Sequence, residues 1–179
     1  MIIRSRLWAS LAVAFAMVLA AGLSVAGPAA AGPGSGDLAA TDASELGAML
    51  DVRYESQPDG FVRTTEYENA TVTEFQIASC QITVSANKPT KSGSRIRVSG
   101  DMSLSSGCSG AWEVLLHVQI YSIDWIAQKT LRQTVYAPYS AYFSTGATCK
   151  KGTWRSEIIV QKGSNDAASR SSTLSVSSC

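Results

Sequence analysis

A chain of 179 residues with a formal net charge of +1 has room for one domain, and its near balance of acids and bases argues against a general nucleic-acid binder. A single histidine restricts triads and most metal sites to one position, and four cysteines without a C-x-x-C pair argue against zinc. The 45% hydrophobic fraction is inflated by the first thirty residues, which differ in kind from the rest.

Residues 1–31 read as a cleavable signal peptide. Arg4 and Arg6 give a positive start, Leu7 to Ala26 is an apolar run broken only by Ser10, Gly22 and Ser24, and Ala29-Ala30-Ala31 supplies small residues. That order holds charge on the cytoplasmic side, threads a helical apolar stretch and presents a peptidase site. Cleavage fits after Ala26 or after Ala31; Pro28 breaks the helix ahead of the second, which favours it. Ser5 separates the arginines, so the route is Sec-type rather than twin-arginine, and no nearby cysteine invites a lipid anchor. Twenty apolar residues also suffice to span a bilayer as an uncleaved anchor. The alanine-rich tail favours cleavage, which leaves the mature chain secreted, extracellular and without a stable membrane anchor.

Residues 32–58 begin with GPGSG and read as a linker. A short helix over 43–50 fits Asp42 as cap, Glu45 closing a capping box, and Leu46, Met49 and Leu50 on one face; a flexible tail fits as well, since Gly47 interrupts the helix. From residue 59 to 179 the pattern is β. Residues 61–68 and 71–77 form two candidate strands around Asn69-Ala70. Phe75 and Ile77 share one phase and Ile82 and Val84 the other, so a bulge or break falls at Ser79-Cys80. Ile96, Val98, Met102 and Leu104 alternate with Arg95, Arg97, Ser99 and Asp101, and Trp112 to Ile120 alternates as clearly. A weaker strand runs through Trp125, Leu131 and Val135, and 152–161 with 170–178 reads as a hairpin turning at 163–166. The predicted fold class is all-β, a single antiparallel β-sandwich, Ig-like in outline. Trp125 and Trp154 are expected in its core.

An even cysteine count in an exported chain implies two disulfides. The hairpin at 163–166 places Cys149 opposite a residue close to Cys179. Strands 80–86 and 94–104, turning back near 88–93, bring Cys80 within loop reach of Cys108. Each bridge closes a loop of about 30 residues, worth roughly 3–4 kcal/mol in the chain-entropy model.

The layout Cys80, Gly107-Cys108, Cys149 and Cys179, with the SGSRIRVSG strand and terminal STLSVSSC, resembles the small secreted four-cysteine β-proteins of actinobacteria, which are largely uncharacterised. The resemblance covers about residues 78–179. It implies export and a sandwich, and it assigns no functional residue.

No catalytic, cofactor or metal motif stands out. His117 sits mid-strand opposite Val114, Leu116 and Val118, with no acid or thiol at ligand spacing. No G-x-S-x-G elbow exists, and Gly32–Gly36 lacks the strand and lysine of a phosphate loop. Glu113 and Glu157 are the strand-borne carboxylates that a glycosidase would bring together. Asn69-Ala70-Thr71 spells a glycosylation sequon behind a leader of bacterial type. Tyr136, Tyr139, Tyr142 and Phe143 crowd around Pro138, where rings on a loop offer flat faces to sugars or apolar protein surfaces, or else close the core edge.

Charge is unevenly spread. Asp37, Asp42, Glu45, Asp51, Glu55, Asp59, Glu66, Glu68 and Glu74 face only Arg53 and Arg63, whereas Lys88, Lys91, Arg95, Arg97, Lys150, Lys151 and Arg155 lead a basic remainder. Either the acidic segment folds back to neutralise the basic part, or the basic face meets an extracellular polyanion. The resulting expectation is a secreted non-catalytic binding or interaction module for a cell-wall glycan, another extracellular polymer or a protein. Tyr136, Tyr139, Tyr142, Phe143, Arg95, Arg97, Lys150 and Lys151 are its candidate contacts. A protease-inhibitor-like or toxin-like interaction factor is the first alternative, and a hydrolase with an unrecognised site the second.

Overall fold

Alternating side chains along successive segments build two antiparallel sheets. The computed structural model describes residues 43–58, 60–163 and 165–179; the expected leader, its cleavage points, Asp42 and the start of the linker lie outside these. A four-residue helix, α1 (Ala43–Leu46), precedes twelve strands. They are β1 (Met49–Gln57), β2 (Gly60–Tyr67), β3 (Ala70–Ile77), β4 (Cys80–Asn87), β5 (Thr90–Ser92) and β6 (Arg95–Leu104). There follow β7 (Ala111–Tyr121), β8 (Trp125–Tyr136), β9 (Tyr139–Thr148), β10 (Gly152–Lys162), β11 (Asn165–Arg170) and β12 (Leu174–Val176).

The larger sheet runs β1-β2-β3-β4-β6, with β5 continuing the line of β4 along β6 and β9 closing the far edge. The smaller runs β11-β10-β7-β8, with β12 also on β10. Both sheets feed one hydrophobic cluster: Ile82 and Val84 of β4, Ile96 and Met102 of β6, Phe143 of β9, Leu116 of β7, and Trp154 and Ile158 of β10. No residue of β1 or β2 belongs to it, and β3 adds only half-buried Phe75. Burying apolar area at about 25 cal/mol per Å² therefore holds the sheet from β4 to β9, while β1 and β2 extend past it.

Two expectations change here and a third is met. The linker to residue 58 ends early, because residues 49–57 are a strand and the helix stops at Leu46. The described part of the acidic segment does not fold back; β1, β2 and β3 extend the same sheet. The break expected at Ser79-Cys80 is there, as a chain reversal: Phe75 pairs with Ile82 and Ile77 with Cys80, and paired residues share a face although their sequence phases differ. Ala78 sits in this turn at φ 52°.

The disulfides are Cys80–Cys108 and Cys149–Cys179, the pairing the strand registers predict. Gly107 fits tightly beside the first. A Cβ on it would lie 1.8 Å from the Ser79 carbonyl oxygen, so only glycine lets the loop close on the turn. The hairpin of β10 and β11 closes with Lys162 opposite Asn165, and β12 resumes the pairing with Gly152 opposite Val176. Among the described residues no helix is long and apolar enough to cross a membrane.

Candidate functional site

The strand β6 sends Ile96, Val98, Met102 and Leu104 into the core, which forces Arg95, Arg97 and Ser99 onto the opposite face. Its neighbour β9 follows the same rule. Phe143 and Ala147 are buried, while Tyr142 and Ser144 emerge beside Asp101 and Ser99. Together with Lys88 and Thr90 these outward residues line a cleft of about 490 Å³.

Its floor is backbone. Gly146 stands opposite Arg97, and a Cβ there would lie 2.8 Å from the Ile96 carbonyl oxygen, so the closeness of the strands excludes a side chain. One Arg95 Nη2 donates to the Gly146 carbonyl oxygen at 3.0 Å, which fixes that guanidinium along the wall. Arg97, Lys88 and Arg95 take part in none of the ion pairs among the described residues. Asp101, further along the face, is buried and already engaged. Hydroxyl and amide groups continue the surface: Asn87 Nδ2 donates to Ser99 Oγ at 3.1 Å, and Ser103 and Ser140 share a 2.8 Å hydrogen bond. Tyr142, 60% exposed, offers a ring and a phenol at the margin. Unpaired guanidinium and ammonium groups around a concave polar floor are a receptor for carboxylate, sulfate or phosphate.

No family model, curated protein or solved structure matches this chain. The site therefore rests on its own geometry, which sorts the expected residues. Arg95, Arg97 and Tyr142 come together. Lys150 and Lys151 sit at the turn between β9 and β10, and Lys150 Nζ donates to Gln128 Oε1 at 2.8 Å, turned to β8 rather than to the cleft. The aromatic group does not form a loop. It is split between the end of β8 and β9, around a cis Ala137–Pro138 bond. Phe143 is a core residue, Tyr139 packs half-buried against the core, and Tyr136 stands exposed at the strand end. Alternation explains the scatter, because 139 and 143 face in while 142 faces out. The contributions of Thr90, Ser144 and Gly146 escape a linear reading; a glycine amid Ser-Thr-Gly-Ala-Thr is the only trace of the floor.

The catalytic candidates are otherwise engaged. His117 is half-buried, with Nδ1 2.8 Å from Thr130 Oγ1. Glu113 pairs with Arg132 at 3.2 Å and accepts from Gln161 Nε2 at 2.6 Å. Glu157, buried, accepts from Gln119 Nε2 at 2.6 Å and from Arg170. Glu157 lies opposite His117, so the two glutamates stand four register steps apart, about 13 Å at the strand rise and beyond the spacing of a glycosidase pair. Trp125 is not core; its half-exposed ring lies 4.1 Å beneath the Arg155 guanidinium on the outside of the smaller sheet. Burial lowers the Arg155 pKa, and the charge of Glu157 works against that. No group of three or more His, Cys, Asp or Glu among the described residues is placed to hold a metal ion.

Proposed function

We propose that this chain is an exported, non-catalytic binding protein, a β-sandwich whose cleft between β5, β6 and β9 holds an anionic extracellular polymer. One observation carries the reading: Lys88, Arg95 and Arg97 line one cleft with Thr90, Ser99 and Ser144, and none of the three takes part in an ion pair among the described residues. Two disulfides suit an oxidising compartment, and the charge–apolar–small order of residues 1–31 suits export. Two sheets closing over one core support the sandwich.

Titration calorimetry with poly(glycerol phosphate) and with polygalacturonate separates phosphodiester from carboxylate recognition. At least one polymer is expected to bind at low salt and to release as salt rises. Because a hydrogen bond to a charged group contributes about 1.5–3 kcal/mol, Arg97→Gln should weaken binding roughly tenfold or more. Arg97 serves no ion pair among the described residues, so the variant should melt as the parent does. Absence of binding to both polymers at low salt, or an Arg97→Gln protein that binds unchanged, overturns the reading.

A further inference from the structure

The hairpin joining β7 to β8 ends in an unusual tip. Its three-residue loop, Ser122-Ile123-Asp124, carries Ile123 at the apex, 94% exposed. Tyr121 and Trp125 close the loop as a cross-strand pair with ring centroids 5.3 Å apart, on the outer face where Arg155 covers Trp125. Ile126, paired with Ile120, emerges on the other face and is 51% exposed, as is Tyr121. The tip thus presents apolar surface at its apex and on both sides. A domain tolerates scattered exposed apolar residues, but three gathered on one projection, Tyr121, Ile123 and Ile126, mark a contact surface.

The tip is held in shape. Ser122 N donates to the Asp124 carbonyl oxygen at 3.0 Å, and Trp125 N donates to Asp124 Oδ1 at 2.7 Å. Cations flank its base. Lys150 and Lys151 immediately precede β10, whose Thr153 pairs with Tyr121, and Lys150 reaches across to Gln128 of β8. A projecting apolar tip with two lysines beside its base suits lipid better than protein. Fluid acyl chains close around a projection of any shape, whereas a stable protein interface needs a complementary surface of about 800 Å² per partner. Tyrosine and tryptophan rings settle at headgroup level, and lysine stems reach anionic headgroups while their methylenes stay with the apolar layer.

We infer that the β7–β8 tip inserts Ile123 into the interface of a membrane carrying anionic lipid, with Lys150 and Lys151 on the headgroups. The site is separate from the cleft and does not depend on the polymer reading. Sedimentation with sucrose-loaded vesicles tests it, using purified chain freed of residues 1–31. Vesicles of equal phosphatidylcholine and phosphatidylglycerol should bind the protein, and phosphatidylcholine alone about tenfold less. Ile123→Glu should lower binding to the anionic vesicles about tenfold or more, as loss of a buried apolar side chain implies. Its melting temperature should match the parent, because the side chain touches little of the fold. Asp124→Asn, which keeps an oxygen for the Trp125 N–H, should bind more tightly. Arg97→Gln should bind the vesicles within about twofold of the parent, the cleft residue being outside the contact. Failure of the parent protein to bind anionic vesicles at 50 mM salt sinks the inference and leaves the tip to a protein partner. Equal binding by Ile123→Glu overturns it as well.

Discussion

The two ends of the larger sheet are made of opposite materials. At one end β1 and β2 carry Asp51, Glu55 and Glu66, and their arginines answer within the same wing: Arg53 meets Asp51 at 2.8 Å and Glu66 at 3.2 Å, and Arg63 meets Glu74 on β3. Burial alone would lower the Arg63 pKa; hydrogen bonding to Tyr54 and the charge of Glu74 outweigh it and raise it. At the other end β6 and β9 contribute Ile96, Val98, Met102, Leu104 and Phe143 to the core and leave Arg95 and Arg97 outside the ion pairs of the described residues. The difference teaches where a charge is free to serve a ligand. A strand fastened by its buried face can leave its outer charges unpaired, whereas a strand with little to bury spends its charges on its neighbours.

The comparison breaks most visibly in the core. Trp154→Ala removes a fully buried ring beneath the cleft-bearing half and should cost about 3–5 kcal/mol in urea unfolding. A cost below about 1 kcal/mol would mean that burial does not hold that half. Replacing Cys149 and Cys179 together by serine opens the bridge at the cleft end and should cost about 3 kcal/mol, read as a lower denaturation midpoint with a steeper slope, because the freed unfolded chain exposes more surface. Ser169→Ala probes the seam. Its buried hydroxyl donates to the Thr71 carbonyl oxygen at 2.7 Å and ties β11 to β3, so its loss should cost about 1–1.5 kcal/mol and speed amide exchange in β2 and β3 more than in β6. The smallest effect belongs to the wing itself. Leu50→Ser, at a side chain 62% exposed, should change stability by less than about 0.5 kcal/mol. A large loss there would show that β1 is held by contacts beyond its pairing with β2.

Much of this was legible where burial imposes a period. The alternation of Ile96, Val98, Met102 and Leu104 marked β6 and its outward arginines, and the registers of two hairpins led to both disulfides. What escaped either lacked that period or was read by another. Strand β1 buries almost nothing; Leu50, Val52 and Tyr54 do alternate with Asp51, Arg53 and Glu55, but the spacing of Leu46, Met49 and Leu50 suits a helix face, and the segment passes for linker. Strand β9 hides because Ala141, Thr145 and Ala147 fill its inward positions with small residues, and because the aromatic cluster around Pro138 resembles a loop. The cleft needed three separate segments in register, and only its arginines stood out. Trp125 illustrates the remaining gap: hydropathy assigns a tryptophan to the core, but pairing with Tyr121 at a strand end places it where the core has run out.

The separation of charge has a mechanical consequence. With acids gathered on the β1–β2 edge and bases towards β6, β5 and the β9–β10 turn, the molecule is an electric dipole laid across the order of its strands. Near a negatively charged surface a dipole turns before it touches, within a screening distance of about 8 Å at physiological salt. Copies that settle this way share one orientation, basic edge down and acidic hairpin outward. A layer of them would present a negative face to whatever approaches next, and would resist the stacking of a second layer on the first.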